Sequence, residues 1–334
     1  MTRPERTAVF LFNYGGPASL DDVEPFLFNI FNDPAIIPLP WYMKPFRPAL
    51  ARRISRKRAE ESKRSYGAIG GKSPLNEETE KQGAALERSL AGRGEFKSFL
   101  GMRYAPPRTG DTLRQALDEG FRRFVLLPMY PHFSTTTTIS SRDDFFDAAR
   151  RLGALRDIRV HEVRDYHDHP DFIEAVAAPF REELGRLRDG ERERATLLFT
   201  AHGLPESIIE SGDPYKAQVE RSVALARARL EFEGEVILAY QSKVGKAKWI
   251  EPYTDEVVRG LAEKRSGPVL VHPIAFVSEH QETLYELDIQ IGDEARAAGL
   301  DYRRLPAPGC RPEFISCLAD VTLRALERPP VGPR

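Results

Sequence analysis

Apolar, β-branched runs alternate along this chain with polar segments of helical periodicity. The four clearest runs are 8–17 (AVFLFNYGGP), 124–131 (FVLLPMYP), 196–205 (TLLFTAHGLP) and 268–276 (PVLVHPIAF). Helical patterns lie between them, for example over 76–90 and 214–230. Buried strands that alternate with helices are typical of βαβ units with parallel sheets. The pattern therefore predicts an α/β protein.

The runs also form a weak internal repeat. Segments 8–17 and 196–205 each contain an apolar strand, an aromatic or imidazole side chain, glycine, one further residue and proline. Segments 124–131 and 268–276 form a second matching pair. We therefore expect two similar doubly wound domains that face each other across a cleft, with a boundary near residues 166–170.

The repeat places candidate chemistry at the strand ends. In open parallel sheets, ligands bind beyond the carboxyl ends of the strands. His202 ends one strand and is followed by glycine, where the chain must turn sharply. Tyr14 occupies the matching position in the first half, and Tyr130 matches an acidic segment in the second. We expect these groups to approach one cleft.

That acidic segment, 276–290 (FVSEHQETLYELDIQ), predicts a helix. Offsets of three and four residues place Glu279, Glu282 and Glu286 along one side. A different, apolar face carries Leu284, Leu287 and Ile291. Stacked carboxylates suit a divalent cation, and a nearby imidazole suits a transition metal such as iron. The competing interpretation is a solvated acidic helix face.

Composition excludes several other classes of protein. The 334 residues carry a formal net charge of −1, so no global field favours nucleic acid. The basic run 52–64 is interrupted by acidic residues and is interpreted as a solvated helix face. Gly15-Gly16-Pro17 lacks the spacing of a dinucleotide fingerprint. No stretch approaches the roughly 20 apolar residues that span a bilayer.

Location and redox state follow from the N-terminus and the cysteines. The N-terminus lacks the pattern of a signal peptide, and Cys310 and Cys317 are the two cysteines. In a protein without an export signal, two cysteines are expected to be reduced thiols. We therefore expect a cytoplasmic protein.

In combination, seven motifs resemble the ferrochelatase family over residues 7 to about 322. They are NYGGPASLDDVEPFL from Asn13, YGAIGGKSPL from Tyr66, GMRYAPP from Gly101, LPMYPHFS from Leu127, AHGLPESIIESGDPY from Ala201, AYQSKVGKAKWIEPYT from Ala239 and FVSEHQETLYELD from Phe276. The resemblance implies two Rossmann-like domains, each with a four-stranded parallel sheet flanked by helices. Residues 1–168 would form the first, with a porphyrin lid, and 169–330 the second, with the His/Glu site. The last helix, 312–328, is expected to pack back on the first domain.

The resemblance also implies a reaction. The family inserts Fe²⁺ into protoporphyrin IX, forms protohaem and releases two protons. His202 and Glu282 match its essential residues and would serve both in catalysis and in metal contact. Glu279, His280 and Glu286 match a route for protons or metal. Four residues after Glu286, on the same side of the predicted helix, many relatives carry an acidic residue, whereas this chain has Gln290.

Further positions match the family's porphyrin contacts. These are Tyr14, Arg58, Tyr66, Ser73, Arg103, Tyr104 and Trp249. Arginine forks suit the porphyrin carboxylates. The apolar segment 26–41 would form the lid, and an exposed part of it could contact a membrane peripherally.

Several alternatives stay open at this level. Tyr14 resembles relatives that use coproporphyrin III, whereas the surrounding motif resembles the protoporphyrin branch. A non-catalytic haem or metal carrier is a second class, and a cobalt chelatase for a corrin precursor is a third. Iron is expected as a substrate, with no cofactor required. Two cysteines cannot supply the four ligands of the family's iron-sulfur cluster. Oligomeric state is open.

Overall fold

The computed structural model describes residues 6–37, 39–245, 247–264 and 267–333. The chain divides into two compact units. Unit 1 contains residues 6–129, 134–164 and 318–333, and unit 2 contains residues 130–133 and 165–317. The chain passes between the units more than once, because residues 130–133 belong to unit 2 and residues 318–333 to unit 1.

Unit 1 contains a four-stranded parallel sheet. Its strands are β1 (Thr7–Asn13), β2 (Phe96–Met102), β3 (Arg123–Pro128) and β4 (Arg159–Glu162), in the order β2-β1-β3-β4. Every residue of the central strand β1 is buried. Both faces of a parallel sheet are covered by helices, which explains this continuous apolar run.

Five helices and part of a sixth complete unit 1. They are α1 (Val23–Phe31), α2 (Arg47–Ala68), α3 (Leu75–Ser89), α4 (Thr109–Asp118) and α5 (Ser140–Arg151), with 3₁₀ turns at Leu20–Asp22 and Trp41–Phe46 and a π-helical turn at Thr135–Ile139. The last helix of the chain spans Pro312–Leu326, and its residues from Leu318 onwards belong to unit 1. Beyond it, Val331 N–H donates to the carbonyl of Val160 in β4 at 2.7 Å. The C-terminal segment therefore covers the edge of this sheet.

Unit 2 repeats the same strand order. Its strands are β5 (Thr196–His202), β6 (Glu235–Gln241), β7 (Val269–Pro273) and β8 (Tyr302–Arg304), in the parallel order β6-β5-β7-β8. Its helices are α6 (Pro170–Leu184), α7 (Asp189–Arg192), α8 (Glu206–Glu210), α9 (Tyr215–Leu230), α10 (Thr254–Glu263), a π-helix (Glu282–Ile291) and α11 (Gly292–Ala297), and the chain's last helix, α12 (Pro312–Leu326), begins here. The predicted α/β class, with two four-stranded parallel sheets flanked by helices, is confirmed.

The acidic segment differs from the regular helix predicted over 276–290. The π-helix begins at Glu282, so Glu279 lies before it and does not stack with the later carboxylates. Its buried positions are Thr283, Leu287 and Ile291, whereas Leu284 is only partly buried. Leu287 and Ile291 of the predicted apolar face are therefore buried, and Thr283 takes the place expected for Leu284.

Throughout the described ranges, no helix is both long enough and apolar enough to cross a membrane.

Candidate active site

Three segments of unit 2 meet at the carboxyl ends of its central strands. His202 is the last residue of β5 and lies in register with Gln241, the last residue of β6. The π-helix follows β7, the other neighbour of β5. The turn after His202 is tightly packed, since a Cβ at Gly203 would lie 3.2 Å from both the Gln241 carbonyl oxygen and Cε3 of Trp249. Close packing therefore fixes where the imidazole emerges.

His202 and Glu282 form a hydrogen-bonded pair. Nδ1 of His202 lies 2.8 Å from Oε2 of Glu282, and the two side chains are 35% and 20% exposed. When the carboxylate is ionised and the imidazole neutral, the ring hydrogen is on Nδ1 and the lone pair is on Nε2. The pair thus presents a basic nitrogen from a partly exposed side chain.

Electrostatics strengthen this arrangement. Burial disfavours the imidazolium, but the carboxylate of Glu282 overcomes it and raises the pKa of His202. Burial likewise disfavours ionised Glu282, but His202 lowers the pKa of that carboxyl group. Glu282 is therefore held as the anion that orients the imidazole and stabilises its protonated form.

Glu286 lies one turn further along and shares a partner with Glu282. Oγ of Ser242 lies 2.8 Å from Oε2 of Glu282 and 2.6 Å from Oε2 of Glu286. Burial, followed by the nearby charge of Glu282, raises the pKa of Glu286. Ser242 is not among the residues predicted from sequence, although it lies inside the motif from Ala239.

His280 precedes the π-helix and lies close to the same carboxylate. Its Nε2 is 3.8 Å from Oε1 of Glu282, and its ring meets that of Phe276 edge-on at 4.4 Å between centroids. Burial lowers the pKa of His280, although Glu282 opposes the shift. The imidazole is therefore mainly neutral near pH 7.

Glu279 is directed to a different partner. Its Oε1 accepts hydrogen bonds from Nη1 of Arg304 at 2.5 Å and from the Ala307 N–H at 2.9 Å. The same guanidinium binds both carboxylate oxygens of Asp288, at 2.7 and 2.6 Å. The structure thus pairs Glu279 with a cation at the end of β8, while Gln290, at the far end of the predicted row, is exposed.

Trp249 supports the histidine. Its ring centroid is 6.1 Å from that of His202 at an interplanar angle of 69°, and its Nε1 donates to the Val244 carbonyl at 3.0 Å. The side chain is 8% exposed. Contact between Trp249 and a porphyrin stays a prediction, while packing against the His202–Gly203 turn is observed.

In unit 1, Arg103 and Tyr104 are held by a buried carboxylate, Asp33. Nη2 of Arg103 and the Tyr104 hydroxyl lie 2.7 and 2.8 Å from Oδ2 of Asp33, and Oγ of Ser140 donates to the same oxygen at 2.7 Å. Tyr104 is 1% exposed, and burial raises its pKa. Its ring stacks on Tyr14 at 5.2 Å. Arg103 and Tyr104 therefore brace Tyr14, and their direct contact with a porphyrin remains a prediction.

The other predicted porphyrin contacts of unit 1 are distributed along α2 and the loop after it. Arg58 is partly exposed, with its guanidinium 6.0 Å from the centre of the Phe31 ring. Tyr66 and Ser73 are each 7% exposed. The Ser73 N–H donates to the Pro17 carbonyl at 2.9 Å, next to the strand end that carries Tyr14.

The predicted lid, 26–41, is half helical and half irregular. Phe26 packs with Tyr104 and Ala105, whereas Trp41 is 80% exposed. Position 38 of this segment lies outside the described residues.

Within the part of the chain that the structure describes, no group of three or more histidine, cysteine or acidic side chains is arranged to hold a metal ion.

Two solved structures share this fold. SirB from Bacillus subtilis with Fe³⁺ matches with a TM-score of 0.55 and 11% identity, over 96% of this chain and 94% of that one. The sirohydrochlorin chelatase SirB from Bacillus subtilis subspecies spizizenii, in complex with cobalt, matches with a TM-score of 0.53 and 11% identity, over 96% of both chains. At this identity the likeness shows the α/β fold alone.

Sequence comparison identifies the family. The family model described as Ferrochelatase matches residues 6–326. The ferrochelatase of Cyanothece sp. is 42% identical over 97% of this chain and 84% of its own length. The ferrochelatases of Geotalea uraniireducens and Aquifex aeolicus are each 43% identical over 95% of this chain, and over 97% and 98% of their own lengths. The chain belongs to the ferrochelatase family of metal-insertion enzymes.

Proposed function

We propose that this protein inserts Fe²⁺ into protoporphyrin IX, forms protohaem and releases two protons. Family membership supports iron insertion into a porphyrin, and the observation that supports the assignment of residues is the 2.8 Å bond between His202 Nδ1 and Glu282 Oε2. Metallation removes two protons from pyrrole nitrogens, so the site needs a proton acceptor that is unprotonated before the reaction.

His202 is the proposed proton acceptor. With its hydrogen on Nδ1 and donated to Glu282, its Nε2 lone pair can take a pyrrole proton. Glu282 then stabilises the imidazolium that forms. The same lone pair can bind Fe²⁺ at another stage, but one nitrogen cannot hold the proton and the metal at once. Carboxylate oxygens of Glu282 provide the second proposed contact for the metal substrate.

Protons leave, or metal arrives, along the groups around Glu282. His280 and Glu286 are the proposed members of this route, because one lies 3.8 Å from Glu282 and the other shares the hydroxyl of Ser242 with it. Glu279 is a weaker member, since the guanidinium of Arg304 already neutralises it.

On the porphyrin side, Arg58 is the proposed partner for a propionate. The guanidinium of Arg103 is already bound to Asp33 at 2.7 Å and lies 3.4 Å from Asp144, whereas Arg58 has only an aromatic neighbour among its described contacts. Tyr14 and Trp249 provide the flat, apolar surfaces that suit a macrocycle. Tyr66 and Ser73 complete the proposed set.

We further propose a cytoplasmic enzyme without a resident cofactor that touches membranes peripherally. The chain's two cysteines, Cys310 and Cys317, are not joined by a disulfide, which suits a reducing compartment. The exposed side chains of Trp41, Tyr42 and Phe46 form an apolar patch beside Lys44. Co-sedimentation with anionic vesicles tests the contact, and binding that is unchanged in Trp41→Ser would argue against it.

Substrate choice is tested by offering Fe²⁺ anaerobically with protoporphyrin IX and coproporphyrin III in parallel and following the product by absorbance. We expect higher kcat/KM with protoporphyrin IX. A preference for coproporphyrin III would overturn this choice and would favour Tyr14 as its determinant, which Tyr14→Leu then tests. Tight binding of both porphyrins without turnover of either would favour a haem or metal carrier.

A further inference from the structure

Ser242 has an unusual backbone conformation. Its φ is +65°, and among the described residues the other non-glycine with positive φ is Glu231 at +48°. The left-handed region is unfavourable for a residue with a Cβ and is normally occupied by glycine. An uncommon conformation of this kind directs attention to the contacts that the residue makes.

The conformation aims two donors of one residue at two carboxyl groups. The Ser242 N–H donates to Oε1 of Glu286 at 2.8 Å. Its Oγ lies 2.8 Å from Oε2 of Glu282 and 2.6 Å from Oε2 of Glu286. Ser242 therefore contacts both oxygens of Glu286 and bridges it to Glu282.

The preceding residue reinforces the bridge. Nε2 of Gln241 donates to Oε2 of Glu286 at 3.2 Å and to the main-chain carbonyl of Glu282 at 3.3 Å. Gln241 is paired in register with His202 across β5 and β6. The end of β6 thus connects the base-bearing strand to the first turn of the π-helix.

We propose that Ser242 is a positioning residue for metal insertion: its hydroxyl holds the carboxyl groups of Glu282 and Glu286 at a fixed spacing for the Fe²⁺ substrate. This inference rests on the proposed function and adds a residue to it. Two carboxylates on successive turns would otherwise repel and rotate apart. The Ser242 hydroxyl donates its one hydrogen to one of the two carboxyl groups at a time, while the Ser242 N–H holds Glu286. Neither donor adds a positive charge that would repel the cation.

Two substitutions separate the hydroxyl from the backbone. Ser242→Gly removes Oγ, keeps the N–H that binds Glu286 and suits the left-handed conformation. Ser242→Ala removes the same hydroxyl but keeps the unfavourable backbone. The matched control is Glu231→Gly, which relieves the other left-handed residue, at the end of α9.

Steady-state kinetics with Fe²⁺ and protoporphyrin IX give the first test. We expect both Ser242 variants to raise the KM for Fe²⁺ about tenfold, the effect of losing one charge-assisted hydrogen bond. The KM for the porphyrin should change less than about twofold, and Ser242→Thr, which restores the hydroxyl, should recover part of the loss. Glu231→Gly should behave like wild type. An unchanged KM for Fe²⁺ in folded Ser242→Gly overturns the proposal, and so does a loss confined to Ser242→Ala.

A second test does not depend on turnover. Co²⁺ is titrated into the porphyrin-free protein and followed by its d–d absorption, with wild type beside Ser242→Gly. Weaker binding by about tenfold in the variant is expected, and equal affinity overturns the role of Ser242. Absence of turnover by wild type would instead overturn the proposed function, so the two failures are distinguishable.

Discussion

The imidazole of His202 and the carboxylate of Glu282 lie 80 residues apart in sequence and are joined by a hydrogen bond of 2.8 Å. The bond uses Nδ1, so the lone pair of the neutral ring is on Nε2. Geometry and charge together make this pair the centre of the proposed chemistry.

Replacing Glu282 by Gln tests the charge of the pair. The amide keeps the size of the side chain but cannot stabilise an imidazolium as a carboxylate does. We expect kcat for iron insertion to fall about 10²- to 10⁴-fold, the usual contribution of a positioned acid–base system. Near wild-type turnover would show that the carboxylate is not needed.

The pKa of His202 can be measured in the metal-free protein, and this tests the role of Glu282 independently of turnover. Glu282 and Glu286 both favour the imidazolium, so the pKa of His202 lies above its ordinary value of 6.5. Because only the neutral ring accepts a proton, activity should be lost as pH falls through this raised pKa. Glu282→Gln removes the main cause, so the NMR titration of the His202 ring should move to lower pH. No movement would contradict the electrostatic account.

Glu279 and Glu286 are expected to differ. Glu286→Gln should raise the KM for Fe²⁺ with a smaller effect on kcat, since its carboxyl group shares Ser242 with Glu282. Glu279→Gln should change either parameter less than about twofold, because Arg304 already holds this carboxylate and the amide can still accept its hydrogen bonds. Steady-state kinetics on the two variants compare their kcat and their KM for Fe²⁺. A larger defect in Glu279→Gln than in Glu286→Gln would contradict this prediction and would make Glu279 a main member of the proposed route.

Asp33 is expected to stabilise unit 1. Its side chain is 2% exposed and binds Arg103, Tyr104 and Ser140. Asp33→Ala leaves a largely buried guanidinium without its main partner, so the free energy of unfolding should fall by about 3 kcal/mol. The control is Asp147→Ala, whose exposed pair with Arg150 should contribute less than about 1 kcal/mol. Urea unfolding compares them, and equal midpoints would contradict the prediction.

The strand ends could be predicted from sequence because strands that are buried on both faces consist of uninterrupted apolar residues. The uninterrupted apolar runs of β1 and β5 indicated central parallel strands, and the glycine after His202 indicated the turn. The shorter and more exposed β8 carries no comparable signal.

The details of the acidic segment could not be predicted. Leu284, Leu287 and Ile291 fit an α-helix as well as a π-helix, and tertiary packing decides between them. The partner of Glu279 is Arg304, which lies 25 residues further on. Ser242 follows an apolar strand within a quoted motif, yet no local pattern indicates that a serine is held in the left-handed region.

The most direct test of the central claim is a single-turnover iron insertion under anaerobic conditions, comparing wild type with His202→Ala. Porphyrin binding is measured in the same samples by fluorescence quenching. We predict that wild type forms haem, whereas His202→Ala binds porphyrin with similar affinity and forms none at a measurable rate. Haem formation by His202→Ala at the wild-type rate would contradict the account.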